Sequence, residues 1–294
     1  MNWPTYSILS HLPLVENKAA LRELRLMGLS SIELALGAIP SDLSASGQRE
    51  FRHILSSHEL ALNAIHVALS GKAFMPGGDI DRALDRTQSA MTHARELGAQ
   101  SVVVDLGPLP RERPGPPRPV IKPEQLGLLI LPDPPKVELA PQADAPVDLA
   151  AMSHFDSAMV ELGRRADRLS VVIVLRSTLS PVSSLADAIR RVDCPWFFAC
   201  CEPANLLAQG TDFTDAFNLI GPRVRHVLAH DVVLGEAGRT KPALLGRGDV
   251  PWRQLIELLR DADYSGPLTI DPTELPDRAL ATRTAIAQLR AYTS

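Results

Sequence analysis

The feature that most constrains the fold is a regular alternation of short apolar segments with longer amphipathic segments along the whole chain. Eight short segments have the length and β-branched content of strands, and a helical periodicity recurs between them. The predicted strands are Ser7–Ser10, Ser31–Leu36, Leu62–Leu69, Ser101–Leu106, Val171–Leu175, Trp196–Cys200, Val224–Ala229 and Leu268–Asp271. The predicted helices are Leu14–Met27, Ser44–Ser57, Ile80–Leu97, Met152–Arg168, Ser184–Val192, Asp212–Ile220, Val250–Ala262 and Arg278–Tyr292. This pattern is typical of a parallel α/β protein.

The number and order of these segments favour a closed barrel. Successive strands are separated by helices rather than by tight turns, as parallel strands require. Eight units fit a single (β/α)8 TIM barrel over residues 1–294, a length that this fold reaches as one domain. An open, doubly wound sheet is the alternative, although no GxGxxG motif follows the first strand. We therefore predict one barrel domain.

A proline-rich stretch interrupts the alternation after the fourth strand. Residues 107–146 contain about half of the 25 prolines of the chain, and proline disfavours helix both at its own position and at the preceding residue. The stretch follows a strand, so we expect it at the C-terminal mouth of the barrel, where this fold places active sites. Two interpretations stay open: a lid that faces the substrate, or a spacer packed on the rim.

Composition and charge exclude several classes of protein. The net charge of −4 gives no sign of a nucleic-acid partner. No uninterrupted apolar run reaches the roughly 18 residues of a membrane span. The odd number of cysteines (Cys194, Cys200 and Cys201) favours reduced thiols over a disulfide framework. With no signal peptide visible at Met1, we expect a cytoplasmic protein.

The C-terminal third carries motifs that resemble those of one family. The segments, in order, are EPANLLAQG at Glu202–Gly210, GPRVRHVLAHD at Gly221–Asp231, LGRGDVPW at Leu245–Trp252 and DYSGPLTID at Asp263–Asp271. Together with GLSSIELAL and ARELGAQSVVVDLG upstream, they resemble the xylose-isomerase-like sugar phosphate isomerases and epimerases. The resemblance covers most of the chain except the proline-rich stretch. It supports the barrel and implies a small sugar-like ligand.

The resemblance also implies a divalent-metal site at the ends of strands five to eight. In that family Glu, Asp, His and Glu hold Mn²⁺ or Mg²⁺, which polarises an open-chain sugar while carboxylates move a proton between neighbouring carbons. The matching positions here are Arg176, Glu202, Leu228 and Asp271. Leucine cannot bind a metal, and a guanidinium would repel one and could instead pair with Glu202 or Asp271. We therefore expect no metal or other cofactor, unless an altered site keeps Mn²⁺, Mg²⁺ or Co²⁺.

Two carboxylates survive as candidate catalytic residues, Glu202 and Asp271. The candidate substrate-binding residues are His66, Asp105, Arg176, Asn205 and His230. Asn205 could equally cap the loop after strand six. Alternation along strand seven places His226 deeper than His230, and we expect a structural role for His226. Glu33 matches a common family carboxylate, and a structural ion pair explains it equally well.

Three hypotheses follow for function. The first is a sugar-binding or catalytically vestigial barrel with an eroded metal site. The second is an isomerase or epimerase that acts on a sugar or keto-polyol without the metal, with Arg176 supplying part of the electrostatic stabilisation. The third, a nuclease of the endonuclease-IV type, is disfavoured by the missing ligands and the acidic net charge. Whether the chain is an enzyme stays open. So does its oligomeric state, although proteins of the family it resembles commonly form homo-oligomers.

Overall fold

The computed structural model describes residues 5–10, 18–69, 71–110, 148–178, 180–235 and 239–294. Its strands are β1 (Thr5–Ser10), β2 (Ser31–Ala35), β3 (Ala61–Ala68), β4 (Ser101–Asp105), β5 (Val172–Arg176), β6 (Phe197–Cys201), β7 (Val224–Ala229), β8 (Asp231–Leu234), β9 (Thr240–Ala243) and β10 (Pro267–Ile270). Eight of them form a closed parallel barrel in the order β1-β2-β3-β4-β5-β6-β7-β10, and β1 pairs with β10 to close it. The predicted (β/α)8 TIM barrel is confirmed.

The helices lie between the barrel strands. They are α1 (Lys18–Leu26), α2 (Ala45–Ser57), α3 (Ile80–Leu97), α4 (Leu149–Leu169), α5 (Val182–Val192), α6 (Pro203–Ala208), α7 (Phe213–Ile220), α8 (Trp252–Asp261) and α9 (Arg278–Thr293). Their ends follow local capping chemistry: the Asp79 carboxylate accepts the Arg82 N–H at the start of α3, and Gly98 ends that helix with φ of +81°. Residues 14–17 of the predicted first helix and residues 111–146 of the proline-rich stretch lie outside the described residues.

Alternation along each strand divides the core into two parts. Side chains such as Leu34, Ile65 and Leu175 pack between the strands and the helices. Their neighbours face the inside of the barrel, where an apolar layer contains Ala64, Val103, Val174, Cys200 and Leu228. Since successive residues face opposite sides, Asp105 and Arg176, two residues after members of this layer, continue the inward-facing rows to the mouth. The strand pattern thus aims polar side chains at one end of the barrel.

Two elements were not predicted from the sequence. Strands β8 and β9 form an antiparallel hairpin beyond β7, with Asp231 opposite Ala243 and Leu234 opposite Thr240. The short helix α6 follows β6 directly. The hairpin strands are four residues each and carry no alternation of apolar and polar residues, which is the signal that reveals a half-buried strand. The eight barrel strands are separated by helices as predicted, and this hairpin is an addition outside the barrel sheet.

The buried Asp231 carboxylate fastens this hairpin to the barrel. Its two oxygens accept hydrogen bonds from the backbone N–H groups of Val232, Gly246, Gly248 and Val250 and from Nε1 of Trp252, at 2.8 to 3.2 Å. The loop approaches so closely that a Cβ on Gly248 would lie 2.2 Å from Asp231 Oδ1. Asp231 therefore orders the connection between β8 and α8.

We predict that Asp231→Ala lowers the free energy of unfolding by about 3 kcal/mol or more, because it leaves buried N–H groups without an acceptor. Chemical denaturation at neutral pH measures the change. Asp249→Ala is the control, since Asp249 is exposed and accepts one hydrogen bond, from the Leu234 N–H. Equal losses in the two variants would contradict the structural role of Asp231.

Candidate functional site

The predicted site residues gather where the barrel strands end. Asp105 and Arg176 lie side by side in the β4–β5 register, as the last residues of their strands. Glu202 directly follows β6, and Asp271 directly follows β10. Active sites of this fold lie at this face, so these four side chains define the candidate site.

Arg176 and Glu202 form a two-pronged ion pair in this mouth. Nε of Arg176 donates to Oε2 of Glu202 at 3.1 Å, and Nη2 donates to Oε1 at 2.8 Å. The side chains are only 22% and 9% exposed, so solvent screens the pair weakly. Burial alone would lower the pKa of Arg176, but the Glu202 carboxylate outweighs it and raises that pKa above its ordinary value. The guanidinium is therefore a fixed cation, and its remaining nitrogen, Nη1, lies 4.0 Å from Oδ2 of Asp105.

The four positions that the family resemblance assigns to metal ligands do not fit a divalent cation. Arg176 brings a positive charge and occupies both oxygens of Glu202. Leu228 is buried in the apolar layer inside the barrel. Asp271 accepts hydrogen bonds at one oxygen from the N–H and hydroxyl of Thr273. One carboxylate that is not in an ion pair, Asp271, is too small a ligand set for Mn²⁺ or Mg²⁺, which bind several oxygen ligands.

A second polar cluster lies inside the barrel around Glu33, whose side chain is fully buried. Oε1 of Glu33 accepts hydrogen bonds from Asn63 Nδ2 and Thr269 Oγ1, both at 2.7 Å. Oε2 lies 2.6 Å from His66 Nε2 and 2.9 Å from His226 Nε2. The two imidazole rings meet edge to face, with centroids 5.4 Å apart. We call Glu33, His66 and His226 the inner triad.

The inner triad holds a defined set of charges. Burial raises the pKa of Glu33, but His226 and His66 more than compensate and hold that pKa well below its usual range. Burial lowers the pKa of His226, but the Glu33 carboxylate outweighs it and raises the pKa to about 10. For His66, burial prevails over the attraction of Glu33 and lowers the pKa. At neutral pH the triad therefore contains one carboxylate, one imidazolium at His226 and one neutral imidazole at His66.

The second nitrogen of His226 contacts a thiol. Nδ1 of His226 lies 3.3 Å from Sγ of Cys200, which faces the inside of the barrel, whereas Cys201 packs toward the helices. The two cysteines thus lie on opposite sides of β6, as strand alternation predicts. Because His226 is protonated on both nitrogens, the Cys200 sulfur accepts its Nδ1–H.

The inner triad could also hold a metal ion by spacing, because its ligand atoms all lie within 4.8 Å of one another. Its hydrogen bonds argue for a different state. Glu33 accepts four hydrogen bonds, and the nitrogen of each histidine that faces Glu33 serves as a donor. A metal ion would need both nitrogens as free lone pairs, so it would have to displace the two protons that the histidines donate to Glu33.

Of the remaining predicted site residues, Asn205 and Asp105 make hydrogen bonds to nearby loops. Nδ2 of Asn205 donates to the Ser177 carbonyl at 3.2 Å, and its Oδ1 accepts from Gln209 at 3.0 Å, so both ends of the amide stabilise loops. His230 is half-buried, and its Nδ1 has no hydrogen-bond partner among the described residues. Oδ1 of Asp105 accepts the Gly107 N–H at 3.1 Å, which leaves Oδ2 facing Arg176.

Two cavities among the described residues bear on where a ligand could bind. One, of about 230 Å³, is lined by Val160, Arg164, Cys194 and Trp196 at the N-terminal end of the barrel. The other, of about 20 Å³, lies behind Glu202 and has room for roughly one water molecule. The first is at the end of the fold that serves stability rather than catalysis, and the second is too small for a sugar. The mouth remains the candidate site.

A closed (β/α)8 barrel with polar side chains converging at its C-terminal face defines a TIM-barrel protein. The chain belongs to the xylose isomerase-like TIM barrel family, whose model matches residues 21–292. No curated protein matches it significantly in sequence. Across the described residues, no helix combines the length and apolar character that crossing a membrane requires.

Solved structures of the same fold include sugar-processing proteins. A xylose isomerase domain protein from Planctomyces limnophilus superposes with a TM-score of 0.72 at 15% identity, covering 99% of this chain and 96% of its own. D-psicose 3-epimerase from Clostridium cellulolyticum H10, solved with D-tagatose, gives 0.71 at 14% identity, with coverages of 99% and 100%. A xylose isomerase-like barrel from Mycobacterium smegmatis, in complex with magnesium, gives 0.67 at 17% identity, with coverages of 99% and 97%. At these identities the likeness establishes the fold.

We predict that the inner triad makes stability depend on pH above neutrality. The pKa of His226 is raised from 6.5 to about 10, so its contribution to stability is complete below pH 6.5 and is lost as the pH rises through 10. Glu33→Gln should lower the free energy of unfolding by about 3–5 kcal/mol near pH 7, since it leaves a buried cation unpaired. This deficit should shrink between pH 6.5 and 10.

Denaturation of both proteins across that range tests the prediction. Thr269→Val is the matched control, because it removes one hydrogen bond to Glu33 and no charge. Its deficit should stay constant with pH. A Glu33→Gln deficit that is equally constant would show that His226 is not a cation in the folded protein.

Proposed function

We propose that this protein binds a small sugar-like molecule at the barrel mouth, and that Arg176 takes the electrostatic place of the family's divalent cation. The observation that carries the proposal is the two-pronged pair between Arg176 and Glu202. It puts a permanent positive charge where strands β5 and β6 end. The family's cation would bind at this point, so the mouth keeps a cationic centre without needing a metal ion.

The groups around this centre suit a polyhydroxylated ligand. Nη1 of Arg176 is not used by Glu202 and can donate to a ligand oxygen. Oδ2 of Asp105 and the second oxygen of Asp271 can accept from hydroxyl groups, and His230 brings an imidazole with an unpartnered nitrogen, as judged from the described residues. A few directional polar groups of this kind can fix the orientation of a polyhydroxylated ligand. The D-tagatose complex of a family epimerase supports a ketose or keto-polyol as the ligand class.

The site supports two versions of this function. In the first, the mouth binds the ligand and the family's metal-dependent chemistry is lost. In the second, the protein is still an isomerase or epimerase, because a fixed guanidinium can stabilise negative charge on a carbonyl oxygen. Glu202 and Asp271 would then be its carboxylates. A nuclease gains no support, because two of the four positions expected to bind metal hold Arg176 and Leu228 instead of ligands.

We predict that the protein binds D-tagatose or D-fructose in the presence of EDTA. Calorimetric titration measures the affinity for each sugar. The double substitution Arg176→Gln with Glu202→Gln removes both charges together, so no unpaired charge is left buried, and it should weaken binding at least about tenfold, the equivalent of 1.4 kcal/mol. The control is Arg165→Gln, which alters an ion-pair cluster with Glu161 and Asp85 remote from the mouth.

Binding that appears only after Mn²⁺ or Mg²⁺ is added would contradict the proposal. So would the absence of ketose binding under all these conditions. Equal weakening by the Arg165 and Arg176 substitutions would place the binding site elsewhere.

A further inference from the structure

His66 is the member of the inner triad that reaches the mouth. Its side chain is 10% exposed, whereas Glu33 and His226 are 0% and 1% exposed. In the sheet register His66 lies beside Val103, and Val103 lies beside Val174. Asp105 and Arg176 follow those two valines by two residues, so they lie one inward-facing level closer to the mouth. His66 therefore forms part of the floor beneath the cationic centre.

The hydrogen bond to Glu33 fixes which nitrogen of His66 carries the proton. Nε2 lies 2.6 Å from a carboxylate oxygen that can only accept, so Nε2 must donate. The side-chain hydrogen bond that His66 makes to the described residues uses Nε2, which leaves Nδ1 for another partner. Burial has the largest effect and lowers the pKa of His66; Glu33 raises that pKa, and the positive charges of His226 and Arg176 lower it further. The neutral ring then presents the Nδ1 lone pair as its free end.

A carboxylate that holds one imidazole nitrogen while the other faces a reactant is the arrangement of a positioned general base. The Glu33 carboxylate also contacts a second histidine, His226. His226 Nε2 lies 2.9 Å from the same Oε2 atom, and the raised pKa of His226 makes the two side chains an ion pair at neutral pH. Glu33 can then orient His66 without drawing a proton onto it. Glu33 thus fixes the orientation of the His66 ring, while His226 balances the charge of Glu33 so that His66 stays neutral.

We propose that His66 is the catalytic base of this site, with Glu33 as its positioning residue and an open-chain α-hydroxy ketone as the class of substrate. This inference rests on the proposed function, because the ketone must first bind at the mouth. Nδ1 takes a proton from the carbon next to the carbonyl, and the C–H electron pair becomes the C=C bond of an enediolate. The carbonyl π electrons move to its oxygen, whose negative charge is stabilised by Nη1 of Arg176.

The proton balance closes without another reactant. His66 becomes an imidazolium that keeps Nε2–H on Glu33 and carries the substrate proton on Nδ1. Return of a proton from Nδ1 to the same carbon regenerates the ketone and the neutral base. In D₂O the imidazolium exchanges its Nδ1 proton with solvent before it returns one, so the ketone acquires deuterium.

The test is deuterium incorporation into dihydroxyacetone and D-tagatose, followed by ¹H NMR in D₂O with EDTA present. We expect the protein to accelerate loss of the hydrogen signals next to the carbonyl over buffer alone. His66→Gln should reduce that rate about 100-fold or more, a typical contribution of a general base, while leaving the affinity for the ketose within about threefold. His93→Gln is the matched control, a buried histidine on α3 outside the barrel interior, and should keep the full rate.

A second measurement examines the base without any ligand. Long-range ¹H–¹⁵N NMR should show His66 neutral at pH 7, with its proton on Nε2, and His226 protonated on both nitrogens. A proton on Nδ1 of His66 would overturn the proposal, because the lone pair would then face Glu33.

The outcomes separate this inference from the proposed function. A ketose that binds without any deuterium exchange overturns the base assignment and leaves sugar binding intact. Equal exchange by wild type and His66→Gln does the same. If neither ketose binds, the proposed function fails and the base assignment fails with it.

Discussion

The structure depends on one buried carboxylate. Glu33 lies inside the barrel with no exposure to solvent, a position that is costly for a charge unless each of its lone pairs is used. Four donors from three other strands meet it: Asn63 and His66 on β3, His226 on β7 and Thr269 on β10. Because these donors come from both sides of β2 and from across the interior, the hydrogen bonds fix how the strands face one another. The charge that they balance sets the protonation of both histidines.

A second ion pair, between Arg176 and Glu202, lies at the mouth above this cluster. Both pairs combine one fixed negative charge with one positive charge, so the interior stays close to neutral without a metal ion. The resemblance to this family implies a divalent cation held by carboxylates at this end of the barrel. Here Leu228 fills one ligand position with an apolar side chain, and Arg176 fills another with a cation. The barrel fold is kept, while Arg176 instead of a metal ion supplies the positive charge at the mouth.

Local signals in the sequence predict most of the barrel and part of the site. The alternation of strands and helices predicts all eight barrel strands within two residues at each end. The family resemblance places Arg176 and Glu202 at the barrel mouth, where they form an ion pair. The inner triad could not be predicted in the same way, because Glu33 and His226 are 193 residues apart and their contact depends on the register across the barrel. A bulge between Ile32 and Glu33 shifts that register. The hairpin of β8 and β9 escapes prediction because its short strands are held by Asp231 rather than by an apolar face.

The most direct test of Arg176 as the substitute for a metal ion at the mouth is Mn²⁺ binding, measured by electron paramagnetic resonance on metal-stripped protein. The wild type should bind no stoichiometric Mn²⁺. The double substitution Arg176→Glu with Leu228→His restores the two missing ligands beside Glu202 and Asp271, and should bind about one ion per chain at micromolar concentrations, as an open site with carboxylate and imidazole ligands does. A wild-type protein that binds one Mn²⁺ and loses it on Glu202→Gln would contradict the account.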